Sequence, residues 1–176
     1  MSEYIKHYRG VLTDTSCDVL IDALLSVDRK HIKEHRTDRK TFDQVFLNAA
    51  NMDLIPGITK IVGNVIKQYK MDVPYFTQFF PKGLEIETPK VKGYSPGGQF
   101  KPHCDVDATS CPRYLAFLFY LNDNFTGGQT EFLPGIMVEP VKGSVVVFPP
   151  NWQHPHCGLP VETGNKYIMS TYLRYV

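Results

Sequence analysis

The segment Lys101-Pro102-His103-Cys104-Asp105 sets an imidazole and a carboxylate two residues apart. On a strand such residues point to one face, so both could hold one ion while Cys104 points away. So short a motif also fits a surface His and Asp in a loop. A later stretch, Asn151-Trp152-Gln153-His154-Pro155-His156-Cys157, adds two more imidazoles. Two imidazoles and one carboxylate make a facial set with three open positions. That set suits non-heme Fe(II), which must also bind a cosubstrate and dioxygen. A structural zinc site would more often use four ligands with thiolates, and the Cys104–Cys111 spacing matches no common zinc pattern. Local spacing leaves the choice between His154 and His156 open.

Another ionisable group opens the last apolar run, Lys166-Tyr-Ile-Met-Ser-Thr-Tyr-Leu-Arg-Tyr. Period-two alternation puts Lys166, Ile168, Ser170, Tyr172 and Arg174 on one face. A lysine in this position ordinarily snorkels to water. If the face points inward, the ammonium requires an anion, because an unpaired buried charge is strongly unfavourable. A dicarboxylic cosubstrate would supply one.

The elements that must carry these groups change character along the chain. A helix is predicted after Thr13-Asp-Thr-Ser, where Cys17, Leu20, Ile21, Leu24 and Leu25 form one apolar stripe. A second begins near Pro56, with Ile58, Ile61, Val62, Val65, Ile66 and Tyr69 as its stripe. The stretch between them, KEHRTDRKTFDQVFLN, reads as a polar loop leading into a strand. From Tyr75 onward short β-branched and aromatic runs alternate with Gly/Pro turns: YFTQFF, LEIET, VKGY, YLAFLFYLN, TEFLP, SVVVFP and the final run. Strands this short with turns this frequent predict a β-sandwich or barrel. Distant strands of such a fold lie side by side, so the two histidine segments can meet. The expected organisation is a single domain over 1–176, helical to about 72 and β-rich from about 73.

Composition narrows the partners. A chain of 176 residues, 43% hydrophobic and 21% charged, can bury a true core. A net charge of +1 gives no overall footprint for nucleic acid or an anionic membrane. There is no apolar run of spanning length and no signal-peptide pattern at the N-terminus. A cytoplasmic protein, a monomer with free thiols, is expected.

Four linked stretches, YSPGGQFKPHCD, RYLAFLFYLNDNFTGGQTEF, GSVVVFPP and HCGLPVETGNKY, carry a resemblance. In order and spacing the chain resembles the 2-oxoglutarate- and Fe(II)-dependent dioxygenases of the prolyl 4-hydroxylase type over roughly residues 90–175. The resemblance implies an α+β, mainly β fold: a double-stranded β-helix, or jelly roll, with N-terminal helices packed on the major sheet. The family register of His, Pro-Val, Gly and Lys is met by His156, Pro160-Val161, Gly164 and Lys166, which selects His156 over His154. The resemblance then implies that His103, Asp105 and His156 bind iron. Lys166 would pair with the distal carboxylate of 2-oxoglutarate, with Tyr94 and Tyr120 nearby. Arg113 and Tyr172 would face the substrate. The implied cofactors are Fe(II), 2-oxoglutarate and dioxygen, with ascorbate as an accessory reductant. The implied reaction inserts one oxygen into a C–H bond and releases succinate and CO2. Peptidyl proline is the leading substrate; another residue, a free small molecule, or a non-catalytic metal-binding module are the alternatives. Specificity in such enzymes depends on loops, here HRTDRKTFDQ and VDATSCPR. The first, with Arg36, Arg39 and Lys40, is either a solvated loop or a lid over a peptide. With no added peptide-binding domain, collagen is not the expected substrate.

Overall fold

The computed structural model describes residues 3–108 and 110–176. Thr109, in the loop after Asp105, lies outside them. In chain order the elements begin with β1 (Lys6–Tyr8), α1 (Asp14–Leu25), β2 (Lys33–Arg36), β3 (Thr41–Phe46) and α2 (Leu47–Ala50). They continue with α3 (Ile55–Asp72), α4 (Pro74–Gln78), β4 (Leu84–Ile86), β5 (Lys90–Tyr94), β6 (Phe100–His103) and β7 (Arg113–Tyr120). The last are β8 (Thr126–Gly127), β9 (Thr130–Phe132), β10 (Ile136–Val138), β11 (Val145–Phe148), β12 (His156–Gly158), β13 (Val161–Thr163) and β14 (Lys166–Tyr175).

The fold is a mainly β, α+β jelly roll. Its large sheet runs β1-β11-β7-β14-β5-β3-β2, with β4 also paired to β14. The facing sheet runs β10-β9-β12-β6, and β13-β8 form a separate ribbon. Alternation along the central strands divides the core in two. From β7, Leu115, Phe117 and Phe119 join Met169 of β14 in a cluster under the helices, where Leu20, Leu24, Val62, Val65 and Tyr69 close it. From the same strand Ala116 and Tyr120 face the second sheet, with Ile168, Tyr172, Phe132 and Phe148. Each fully buried large side chain contributes about 1.5–3 kcal/mol. The helices therefore hold the large sheet from behind and leave its other face free to line a pocket.

Both predicted helices form where their caps stand. Thr13 accepts from the Ser16 amide as the N-cap of α1, and Pro56 lies in the first turn of α3. Leu25, at the edge of the first stripe, is exposed.

Two local expectations change. YFTQFF is helix, not strand, because Pro74 starts a short turn of helix. Phe76 and Phe80 then fall four residues apart and pack edge-on in one aromatic cluster with Tyr69. The expected strand forms as β3, but Lys33–Arg36, expected as loop, is also a strand and makes a β-hairpin with it. Its second strand, β3, pairs with β5. Its tip is tied to β6, with the Lys101 amide bonding to the Arg39 carbonyl at 2.8 Å and the Thr41 amide to the Gln99 carbonyl at 2.9 Å. The region before residue 72 thus adds β1, β2 and β3 to the large sheet. Among the described residues, no helix is long and apolar enough to cross a membrane.

Candidate active site

β6 and β12 are antiparallel neighbours, and their register sets His156 directly opposite His103. Asp105 follows two residues beyond the end of β6. Its amide donates to the Pro150 carbonyl at 3.1 Å, and Arg113 Nη1 donates to its own carbonyl at 2.8 Å. The carboxylate is thus held between the imidazoles. Asp105 Oδ1 lies 3.6 Å from His103 Nε2, and Oδ2 lies 3.5 Å from His156 Nε2. The three donor atoms all lie within 4.8 Å of one another.

Backbone carbonyls fix the imidazole orientations. His103 Nδ1 sits 2.9 Å from the Lys101 carbonyl and His156 Nδ1 3.2 Å from the His154 carbonyl. Each Nδ1 carries the proton to its carbonyl, so each Nε2 lone pair faces the centre of the triad. Phe100 stacks on His103 with ring centroids 3.5 Å apart. Burial pushes His156 down to about 4, so it is neutral near pH 7. Burial would raise the Asp105 carboxyl, but its contacts with the His103 and His156 imidazoles, and the Lys92 ammonium beyond them, hold it well below the usual carboxylate range. A neutral His156 and an ionised Asp105 are protonation states that suit a divalent metal.

His154 stands apart from this cluster. It precedes β12 in a turn, with Nδ1 3.4 Å from Asn151 Oδ1, and it contributes only its carbonyl, to His156. It shares no strand face with His156. All four cysteines are free, and none belongs to the triad.

A cavity of about 40 Å³ runs from the triad between the sheets. Lys166 closes its inner end and is 2% exposed. Its Nζ donates to the Gly128 carbonyl at 2.6 Å and lies 5.3 Å and 5.8 Å from the Tyr94 and Tyr120 ring centroids. No carboxylate pairs with it among the described residues. Burial, followed by the nearby Lys92 charge, pushes this ammonium down to about 7. Tyr94 is the register partner of Lys166 across β5 and β14. Tyr120 Oη donates to Thr130 Oγ1 at 2.7 Å. Both phenols are pushed above their ordinary value by burial. Gly127 and Gly128 both take positive φ, at 71° and 67°. A Cβ on Gly127 would stand 2.5 Å from the Pro160 carbonyl, so this turn is closed to other residues. It delivers the carbonyl that receives Lys166.

At the outer end Arg113 makes a two-point contact with Glu87, Nε to Oε1 and Nη2 to Oε2 at 2.9 Å each. Its guanidinium lies 3.8 Å from the Tyr172 ring centroid. Arg174 falls outside the pocket. A register irregularity after Leu173 breaks the alternation, and the side chain turns to Glu85 at 2.7 Å.

Sequence reasoning missed Thr130, Glu87 and Lys92 as lining or positioning residues. Lys92 could have been found. In Lys90-Val-Lys92-Gly-Tyr94 the period of two places both lysines on the face of Tyr94. Ser170 Oγ is buried with no hydrogen-bond partner, on the same face of β14 as Lys166.

Residues 89–174 match the family model of the 2OG-Fe(II) oxygenase superfamily. The chain therefore carries a 2-oxoglutarate-dependent dioxygenase domain, whose cofactors are Fe(II), 2-oxoglutarate and dioxygen. Among solved structures it is similar to a viral collagen prolyl hydroxylase from Paramecium bursaria Chlorella virus-1 in complex with 2-oxoglutarate. That pair is 24% identical with a TM-score of 0.78, over 99% of this chain and 98% of that one. It is also similar to a prolyl-4-hydroxylase of Pseudomonas putida (20% identity, TM-score 0.77, 99% and 94% covered). A third is a prolyl hydroxylase of Trichoplax adhaerens in complex with a hypoxia inducible factor peptide fragment (14%, 0.78, 98% and 84%). No curated protein matches the sequence.

Proposed function

We propose that the chain hydroxylates peptidyl proline, with His103, Asp105 and His156 holding Fe(II) and Lys166 receiving the distal carboxylate of 2-oxoglutarate. One observation carries the reading: a metal-competent triad shares a cavity with a buried ammonium that lacks an anion. A dicarboxylate supplies what Lys166 lacks. Tyr94, with its ring near that ammonium, and the Tyr120–Thr130 pair supply neutral polar groups around it.

Fe(II) held by His103, Asp105 and His156 would, with 2-oxoglutarate and dioxygen, supply the oxidising chemistry, with succinate and CO2 as products. The residues of the chain do the rest. The backbone bonds to the two Nδ1 atoms keep both Nε2 atoms aimed at one point. Phe132, Phe148 and Phe100 surround His103 and His156 and exclude water from the site. Arg113, locked by Glu87, holds Tyr172 and the Asp105 main chain at the mouth where substrate enters.

Proline as the target is favoured by the names of the similar structures. One is a prolyl hydroxylase bound to a peptide and another is called a collagen prolyl hydroxylase. The test is a proline-containing peptide library incubated with iron and 2-oxoglutarate and read by mass spectrometry. A gain of one oxygen on proline is expected. Oxidation confined to other residues would replace proline as the target.

A further inference from the structure

The wall built by β5 and β14 has an order along its length. Register pairs Lys166 with Tyr94 at the inner end, Ile168 with Lys92 in the middle, and Ser170 with Lys90 at the outer end. Lys92 lines both the cavity containing Lys166 and a groove of about 450 Å³ that opens outward from the triad. It is 8% exposed. Its ammonium makes no ion pair with a carboxylate among the described residues, whereas Lys90 and Arg113 beside it share Glu87.

The groove beyond continues the same sign. Lys33, Arg39 and Lys40, from the β2–β3 hairpin, line its far side; Lys33 and Arg39 are exposed and Lys40 is half-buried. Asp105 and Asp107 are the acidic residues lining it, and Asp105 belongs to the triad. A buried cation without a partner is costly, and the cost is recovered when a bound anion fills the place.

We propose that the groove selects an acidic peptide, with an Asp or Glu carboxylate one or two positions from the oxidised residue paired to the Lys92 ammonium. This rests on the reading of the chain as a peptide hydroxylase and names its substrate class. A small free acid would need a single cation. The further cations along about 450 Å³ of groove fit a chain that carries several carboxylates.

The test uses synthetic peptides with one central proline and Glu, Gln or Lys at each of the two positions on either side. For the protein with Fe(II) and 2-oxoglutarate, kcat/KM for the best Glu peptide should exceed that of its Gln counterpart by at least about tenfold and fall with added salt. Lys92→Met should bring the ratio near one and Lys92→Arg should restore it. Equal rates for Glu and Gln peptides in the unmodified protein would overturn the proposal whatever the variants do. So would a Lys92→Met that raises the 2-oxoglutarate KM and keeps the Glu preference, since Lys92 would then serve the cosubstrate. Proline oxidation without acid preference sinks this inference and leaves the hydroxylase reading standing. Acid-dependent oxidation of another residue does the reverse.

Discussion

Replacing Lys166 by Met separates affinity from stability. The side chain is fully enclosed, and its ammonium sits at about 7 because of burial and the Lys92 charge. Against an ordinary 10.5, that depression is worth roughly 5 kcal/mol of unfavourable solvation in the empty pocket. Methionine keeps the length and removes the charge. Two effects of opposite sign follow. The cosubstrate loses its partner, at a cost of about 3 kcal/mol, or on the order of a 100-fold rise in KM for 2-oxoglutarate. The empty protein loses a buried cation and should gain about 1–4 kcal/mol, less what the bond to Gly128 contributed. At 2–4 °C per kcal/mol for a chain of this size, the melting temperature should rise by several degrees. Succinate release against 2-oxoglutarate concentration gives the first quantity and calorimetric melting gives the second. A variant with an unchanged KM, or one that melts lower, refutes the argument that this ammonium is held in strain for an anion.

Other outcomes follow from the same geometry. His156→Ala should lose iron, measured by metal analysis after dialysis, and all turnover, whereas His154→Ala should keep most of both, since that residue offers only its carbonyl. Glu87→Gln should weaken the two-point hold on Arg113 by about 1.5–3 kcal/mol and raise peptide KM more than 2-oxoglutarate KM, measured by varying each in turn. Tyr120→Phe removes the donor to Thr130 and should raise the 2-oxoglutarate KM by roughly fivefold, about 1 kcal/mol. Lys166 and Lys92 are held near 7 and 8 in the fold against an ordinary 10.5. Between those values the unfolded chain binds more protons, so metal-free stability should rise with pH from about 7 to 10.5. Denaturant melts across that range would show it, and Lys166→Met should flatten the rise.

What was legible in the sequence follows from how far each signal reaches. Strand alternation alone placed Lys166, Ile168, Ser170 and Tyr172 on one face, and that face lines the pocket. The meeting of His103 with His156 depends on the β6–β12 ladder, a pairing between distant segments that no local pattern encodes; the order of four linked motifs stood in for it. Weak or short signals failed. β1 is three residues, Lys6-His-Tyr8, with no period to read. β2 is polar because it is an edge strand with exposed faces. In β3 the side chains of Phe42 and Gln44 turn toward the groove and Val45 toward the helices, so a buried Gln44 masks the alternation. Glu87 and Thr130 acquire roles only through Arg113 and Tyr120, contacts that exist only once the sheet is assembled.

The most direct test of the central claim counts products. With Fe(II), 2-oxoglutarate and a proline peptide, the protein should release one succinate for each oxygen gained by the peptide, and Asp105→Ala should abolish both. Iron and 2-oxoglutarate bound normally, with no peptide or other substrate ever gaining oxygen, would contradict it.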